Sequence, residues 1–293
     1  MTTATKLQHY PVMLYEVTQV LINNPAGTYL DCTFGGGGHS RHFLEEFPNI
    51  QLYAIDRDPD AWKRAEELKR EFPRNFFFEC MPFSTLDRLG VKVFSGVLFD
   101  FGISSIQLDD AERGFSFRYH MPLDMRMNPK QGMSAQEFLK TASREQLIEA
   151  ICDFGEEAQG RRIVDLILKN RGSEVLEFAD TFADLIAQHC PRSGKIHPAT
   201  KTFQGIRIAV NHELEEIQQA LPKAFERLQP GGRLVVLSFH SLEDRIVKQF
   251  WRKMETSSRA KSLTPKPILP PPEEVKMNLR SRSAKLRILE KFQ

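Results

Sequence analysis

The chain has 293 residues, 41% of them hydrophobic, which is enough for a packed core and too many for one small domain. Lysine and arginine (40) nearly balance aspartate and glutamate (38) to a net charge of +2, so a globally basic nucleic-acid binder is excluded and RNA contacts must come from local patches. Without a membrane-length apolar run, a leader-like N-terminus, or CxxC or Cys–His ligand spacing at Cys32, Cys80, Cys152 and Cys190, the expectation is a cytoplasmic protein with no membrane, disulfide framework or metal.

In chain order, apolar spacing predicts a helix over 14–22, a strand over 29–34 and a helix over 40–47. A strand over 51–55 follows, then a helix over 59–70 with Asp58 as its N-cap before Pro59. Short apolar strands occupy 76–80 and 96–100. This alternation implies an α/β fold with a doubly wound, mostly parallel sheet. From about 109 to about 200 the rhythm changes to helices over 135–141, 144–154, 161–169 and 178–189. A long helix over 203–228, broken near Pro222, leads to a turn at Pro230-Gly-Gly and a strand over 233–239. A polyproline-like stretch at 265–272 and an edge strand over 285–290 follow. The organisation is a helical domain at 111–204 inserted into an α/β domain built from 1–110 and 205–293.

Tyr29-Leu-Asp-Cys-Thr-Phe-Gly-Gly-Gly-Gly-His39 is a strand entering a glycine run ahead of a helix. Gly37, Gly38 and His39 stand where that helix opens, and its free N–H groups suit a polar or anionic ligand approaching without a Cβ in the way. Asp56 ends the second strand, where a doubly wound sheet holds the ribose hydroxyls of a nucleoside cofactor. The loop lacks Gly-x-Gly-x-x-Gly spacing, and Asp31 precedes its first glycine. A carboxylate there repels a pyrophosphate but suits the ammonium of an amino acid, which favours S-adenosylmethionine over NAD. A turn-capping role for Asp31 stays open.

Other strand ends carry polar or aromatic groups. Phe83 follows the third strand, either against an adenine face or as plain core. Asp100 ends the fourth, placed to accept from an exocyclic amine or take its proton as a methyl arrives, with a turn cap as the alternative. His240 follows the fifth and projects into the same cleft, while Ser241 and Asp244 have capping-box spacing. Arg113, Phe115, Phe117, Arg118 and Arg126 interleave guanidinium and aromatic groups, as phosphates and unstacked bases require. A surface loop with two half-buried phenylalanines accounts for them equally well. Lys195, His197 and Lys201, with the tail Arg280-Ser-Arg282-Ser-Ala-Lys285, add weaker basic groups.

Together these segments resemble the bacterial small-subunit ribosomal RNA methyltransferase H family, also called MraW. The matching stretches are His9-Tyr-Pro-Val12, Asp31-Cys-Thr-Phe-Gly-Gly-Gly-Gly-His-Ser40, Ala54-Ile-Asp-Arg-Asp-Pro59, 104–117, 122–127, Gly155-Glu-Glu157, 197–204, 238–247 and 281–287. The resemblance implies a Rossmann-like class I methyltransferase fold and S-adenosylmethionine as cofactor. It implies methylation of N4 of a cytosine in the decoding centre of 16S rRNA, within the 30S subunit. By the same resemblance, Gly37, Gly38, His39, Asp56, Phe83, Asp100 and Gln107 hold the cofactor. The inserted domain is implied to recognise RNA, with Arg113, Phe115, Phe117, Arg118, Arg126, His197 and Lys201 as candidates. Asp100 and His240 are the catalytic candidates.

This chain has Gly36, Ile106, Lys201 and Gly205 where the family more usually has Arg, Pro, Arg and Ala. Three rivals remain: a C5-cytosine methyltransferase with Cys190 as nucleophile, a non-catalytic RNA-binding assembly factor, and an NAD-dependent oxidoreductase that the loop spacing disfavours. Oligomeric state, a homodimer included, is left open.

Overall fold

The computed structural model describes residues 10–191 and 196–292, so His9 and Lys195 lie outside the described residues. The chain divides into two compact units, Met1–Gly102 with Leu214–Gln293, and Ile103–Glu213. The first begins with α1 (Leu14–Leu21), β1 (Thr28–Asp31), α2 (Gly38–Glu46), β2 (Gln51–Asp56), α3 (Ala61–Glu71), β3 (Phe76–Cys80) and β4 (Phe94–Asp100). The second holds α4 (Ser105–Asp109), α5 (Ala135–Thr141), α6 (Arg144–Ile148), α7 (Gly160–Lys169), α8 (Ala179–His189) and α9 (Thr200–Asn211). Then come α10 (Glu213–Glu226), β5 (Leu228–Ser238), α11 (Ser241–Thr256), β6 (Ala260–Ser262), α12 (Pro272–Met277) and β7 (Lys285–Lys291).

The strands form one sheet in the order β3-β2-β1-β4-β5-β7-β6. β1 to β5 pair in parallel, while β7 runs antiparallel to both β5 and β6. β4 shows why the sheet is covered on both faces: every residue from Phe94 to Phe99 is buried, and only the terminal Asp100 reaches toward water. Its neighbours alternate between two cores. Val97 and Phe99 join Leu234, Val236, Phe225 and Trp251 on one face; Leu98 joins Val235, Leu237, Met13 and Phe43 on the other. The result is the Rossmann-like, doubly wound α/β sheet expected from the sequence. Chain order reverses between β1 and β4, so the crevice outside their carboxyl ends is where such sheets bind ligands.

Several elements differ from expectation. The helix expected over 203–228 is two helices, α9 and α10, divided at His212, whose left-handed backbone (φ 52°) ends α9. Pro222 lies inside α10 instead of breaking it. Pro230-Gly-Gly is part of β5, where the pairing with β4 shifts register between Phe94 and Gly96 and absorbs the extra residues as a bulge. β7 is an inner strand, because β6, too short to show a period, pairs along its outer side. Asp58 does not cap α3; Asp60 precedes that helix, and Asp58 accepts the Asp60 N–H at 3.0 Å.

The second unit packs around Leu123, Met125, Leu139, Ile151, Ile163, Phe182 and Ile206. The helix expected over 144–154 is α6 continued by one π turn, Glu149–Phe154. That turn meets α9 backbone to backbone: a Cβ on Gly205 would stand 2.0 Å from the Ala150 carbonyl oxygen. The glycine at 205 therefore has a steric reason here. Among the described residues, no helix is long and apolar enough to cross a membrane.

Candidate active site

The glycine loop of the first unit is clamped by two carboxylates. Asp31, the buried last residue of β1, accepts the Thr33 N–H at 3.0 Å and the Ser40 hydroxyl at 2.7 Å. Ser40 lies in the first turn of α2, so one side chain ties the entry of the loop to the helix it feeds. Burial raises the Asp31 carboxyl above its ordinary value against the opposing pull of the Ser40 bond. Of the two roles read for Asp31, holding the turn is the one observed.

Asp56, at the tip of β2, accepts the Gly35 N–H at 2.7 Å and the Asp58 N–H at 2.8 Å. Burial pushes its carboxyl up to about 6, although both bonds favour the charged form. Arg64 of α3 donates through Nε to the Gly35 carbonyl at 2.9 Å, and Thr33 Oγ1 accepts the Asp100 N–H at 2.7 Å, joining the loop to the tip of β4. Neither contact is signalled by the sequence. Gly37 has φ 76°, and a Cβ there would come within 2.6 Å of the Phe34 ring. Glycine is thus needed by the loop itself, quite apart from any ligand.

His39, the second residue of α2, is buried with Nε2 3.7 Å from Asp100 Oδ2; Asp100 itself is 25% exposed. Both His39 ring nitrogens, Asp100 Oδ1 and Ser238 Oγ are buried without a hydrogen-bond partner among the described residues. Buried polar atoms left unbonded are costly, so the adjacent His39 and Asp100 mark where a polar ligand belongs. These atoms stand at the carboxyl ends of β4 and β5 and at the opening of α2. Phe83 opens a 3-10 turn after β3, edge-on to Phe99 with centroids 5.6 Å apart. It packs against the core while remaining half-buried.

His240 precedes α11 and caps it. The Glu243 N–H reaches His240 Nδ1 at 3.4 Å, and the Glu243 carboxylate accepts the N–H groups of Phe239 (2.7 Å) and His240 (3.2 Å). The capping box is therefore His240 with Glu243, not Ser241 with Asp244. Asp244 faces the other way, accepting from Arg287 at 2.6 Å and Lys285 at 3.3 Å.

The remaining sequence candidates belong to the second unit. Gln107 is buried in α4, where it completes a capping box with Ser104. Arg113 and Phe115 are not surface groups. Arg113 is 8% exposed, and its Nη2 donates to the Arg126 and Met127 carbonyls at 3.0 and 2.7 Å, while Phe115 is 6% exposed in the core. Their burial removes both from a list of RNA contacts. Arg126 is held by both oxygens of Asp124 (2.7 and 2.9 Å), which largely neutralises it, and Lys201 donates to the Glu156 carbonyl at 2.8 Å. Arg118 is exposed; half-buried His197 and Phe117 pack at a tilt with centroids 4.6 Å apart.

A family model described as the MraW methylase family matches residues 6–292. The chain belongs to that family. Curated relatives named ribosomal RNA small subunit methyltransferase H match over nearly their whole lengths. The one from Fusobacterium nucleatum is 42% identical, covering 97% of each chain. That from Rickettsia prowazekii is 41% identical over 97% of this chain and 98% of its own, and that from Cyanothece sp. is 45% identical over 97% and 95%. Membership in a methylase family sets aside the oxidoreductase. The C5 route, which needs a thiolate, also loses ground: Cys190 is 2% exposed after α8, and burial pushes its thiol up. Cys32, beside the glycine loop, is likewise buried with its thiol pushed well up.

Proposed function

We propose that this methylase transfers a methyl group from S-adenosylmethionine to N4 of a cytosine in the decoding centre of 16S rRNA, acting on the 30S subunit in the cytoplasm. The observation that carries this reading is the unbonded pair His39 and Asp100, 3.7 Å apart beside a loop already clamped by Asp31 and Asp56. The names of the family's relatives supply the substrate class.

The residues present fit the cofactor. Asp56 retains lone pairs for the ribose hydroxyls, the Gly37 and Gly38 backbone borders the amino-acid end, and Phe83 offers a ring to the adenine. Gln107 is assigned to the cofactor by family resemblance alone. When bound, the cofactor supplies a methyl group activated by its sulfonium.

The protein's part is to make a poor nucleophile attack in line. The N4 lone pair of cytosine is delocalised into the ring, so the base must leave its stack and be held against the reacting carbon. Asp100 Oδ1 accepts the N4–H, favours the localised lone pair and receives the proton as charge develops on nitrogen. His39 stands beside the same carboxylate, its Nε2 3.7 Å from Asp100 Oδ2, with ring nitrogens to offer the cofactor. His240, oriented by Glu243, borders the base. No covalent cysteine is needed. The second unit contributes RNA recognition through Arg118, Phe117 and His197.

The test is methyl transfer from labelled cofactor to 30S subunits prepared from a strain lacking the gene, with nucleoside analysis of the product. N4-methylcytidine is expected, and a methyl group on carbon 5 would overturn the reading. Asp100→Asn should lower turnover by roughly 10²- to 10³-fold with cofactor affinity changed only a few-fold. Full turnover in that variant would remove Asp100 as proton acceptor.

A further inference from the structure

α11 turns its first acids inward and shows water a row of bases. Glu243 and Asp244 are buried, one capping the helix and the other bound to Arg287 and Lys285. The exposed positions of the helix are Arg245, Lys248, Gln249, Arg252, Lys253, Glu255 and Thr256. At about 100° per residue, all of these except Glu255 share an arc of roughly 140°. Glu255, at the edge of that arc, accepts the Ser262 N–H at 3.0 Å. Lys248, Arg252 and Lys253 make no side-chain hydrogen bond or ion pair among the described residues. Gln249, Arg252, Lys253, Thr256 and Ser257 also line a surface depression, adding amide and hydroxyl donors to the cations.

The position of this row matters as much as its charge. α11 starts directly after Ser238, Phe239 and His240 at the carboxyl edge of the sheet. With about 1.5 Å of rise per residue, Arg245 stands about 6 Å along the axis from Ser241 and Lys253 about 18 Å. A chain of net charge +2 thus concentrates four cations on one helix that leads away from the site.

We infer that this face of α11 is a track for the phosphodiester backbone of the RNA substrate, gripping nucleotides that flank the reacting cytosine. The inference rests on the proposed RNA substrate. Flexible cations with amide and hydroxyl donors between them suit phosphate oxygens, which carry charge but no sequence. None of the exposed residues of the arc is aromatic or aliphatic. The arc therefore lacks the anchor that a protein partner would bury and the apolar wedge that a membrane-surface helix would insert.

The experiment uses the full chain carrying Lys248→Gln, Arg252→Gln and Lys253→Gln together. The control is Arg70→Gln, Arg74→Gln and Lys92→Gln, three exposed cations at or near the amino-terminal ends of β3 and β4. Binding of protein-free 16S rRNA is measured across a salt series, with S-adenosylhomocysteine affinity as the check on folding. The α11 variant should bind RNA roughly tenfold more weakly near 0.15 M salt. The slope of log affinity against log salt should fall by about 2, while the control keeps the parent's values. An unchanged affinity and slope would overturn the track. So would equal losses in both variants, which would show bulk charge at work, or lost binding to phosphatidylserine vesicles with RNA affinity intact. A parent chain that binds S-adenosylhomocysteine yet neither binds nor methylates the rRNA would remove the underlying reading along with the inference.

Discussion

Replacing Arg113 with methionine should loosen the second unit instead of stripping a contact from an RNA surface. The guanidinium is almost fully buried, and Nη2 alone serves the Arg126 and Met127 carbonyls at 3.0 and 2.7 Å. The same segment is gripped from its other side by Asn211, which accepts the Met127 N–H and donates to the Met125 carbonyl, both at 2.7 Å. Hydrogen bonds from a charged donor contribute roughly 1.5–3 kcal/mol each, and two that share one nitrogen count for less than twice that. Methionine keeps most of the stem's volume, so the cavity component is small. The expected loss is about 3 kcal/mol. For a unit of about 110 residues, at roughly 2.1 cal/mol/K per residue, this lowers the midpoint by about 13 °C if that unit melts by itself. If the whole chain melts together, the drop is about 5 °C. Calorimetry on the full chain distinguishes these cases. A midpoint within about 2 °C of the parent, together with a tenfold loss of rRNA affinity, would refute the reasoning and return Arg113 to the RNA interface.

The Asp56 carboxyl, pushed up to about 6 from an ordinary 3.8, sets opposite pH dependences for binding and folding. Because ribose hydroxyls need the carboxylate, cofactor affinity by calorimetry should fall as pH drops through about 6, whereas Asp56→Asn should bind weakly at every pH; parent binding that stays flat between about pH 5 and 7 would contradict this. The proton is held more tightly in the folded chain, so the Asp56 contribution to stability should decline as pH rises from 3.8 to about 6. Gly205→Ala should cost about 2 kcal/mol or more in urea unfolding, because its Cβ would meet the Ala150 carbonyl at 2.0 Å; a neutral result would show that the π turn yields freely.

The cofactor side of the fold was legible because its signals are local. Asp56 and Asp100 each end an apolar strand run, so their residue types mark strand ends without knowledge of pairing, whereas the strand expected over 29–34 stops at Asp31. What stayed hidden depends on contacts far along the chain. An arginine followed by a glycine and a phenylalanine reads as surface; only the carbonyls 13 and 14 residues later show why Arg113 is buried. Thr33 looks like loop filler until the Asp100 N–H arrives from 67 residues away. β6 has three residues, too few for a period, and so its neighbour β7 reads as an edge. His212 ends a helix through its backbone angle, which no histidine advertises, whereas Pro222 advertises a break that α10 does not make.

β4 and β5 are hydrogen-bonded neighbours, with Asp100 opposite Leu237, yet the 127 residues from 101 to 227 lie between them in the chain. Bringing together the ends of a flexible loop that long forfeits roughly 4 kcal/mol of chain entropy before any pairing repays it. The helical unit has its own core, so it can condense first and take most of that slack out of the chain. Completion of the sheet then waits on the helices. A substitution in the helical unit that slows its condensation will surface as late or missing assembly of the methyl-donor crevice, and a loss of methylation from such a lesion will reflect a folding schedule, with no RNA contact involved.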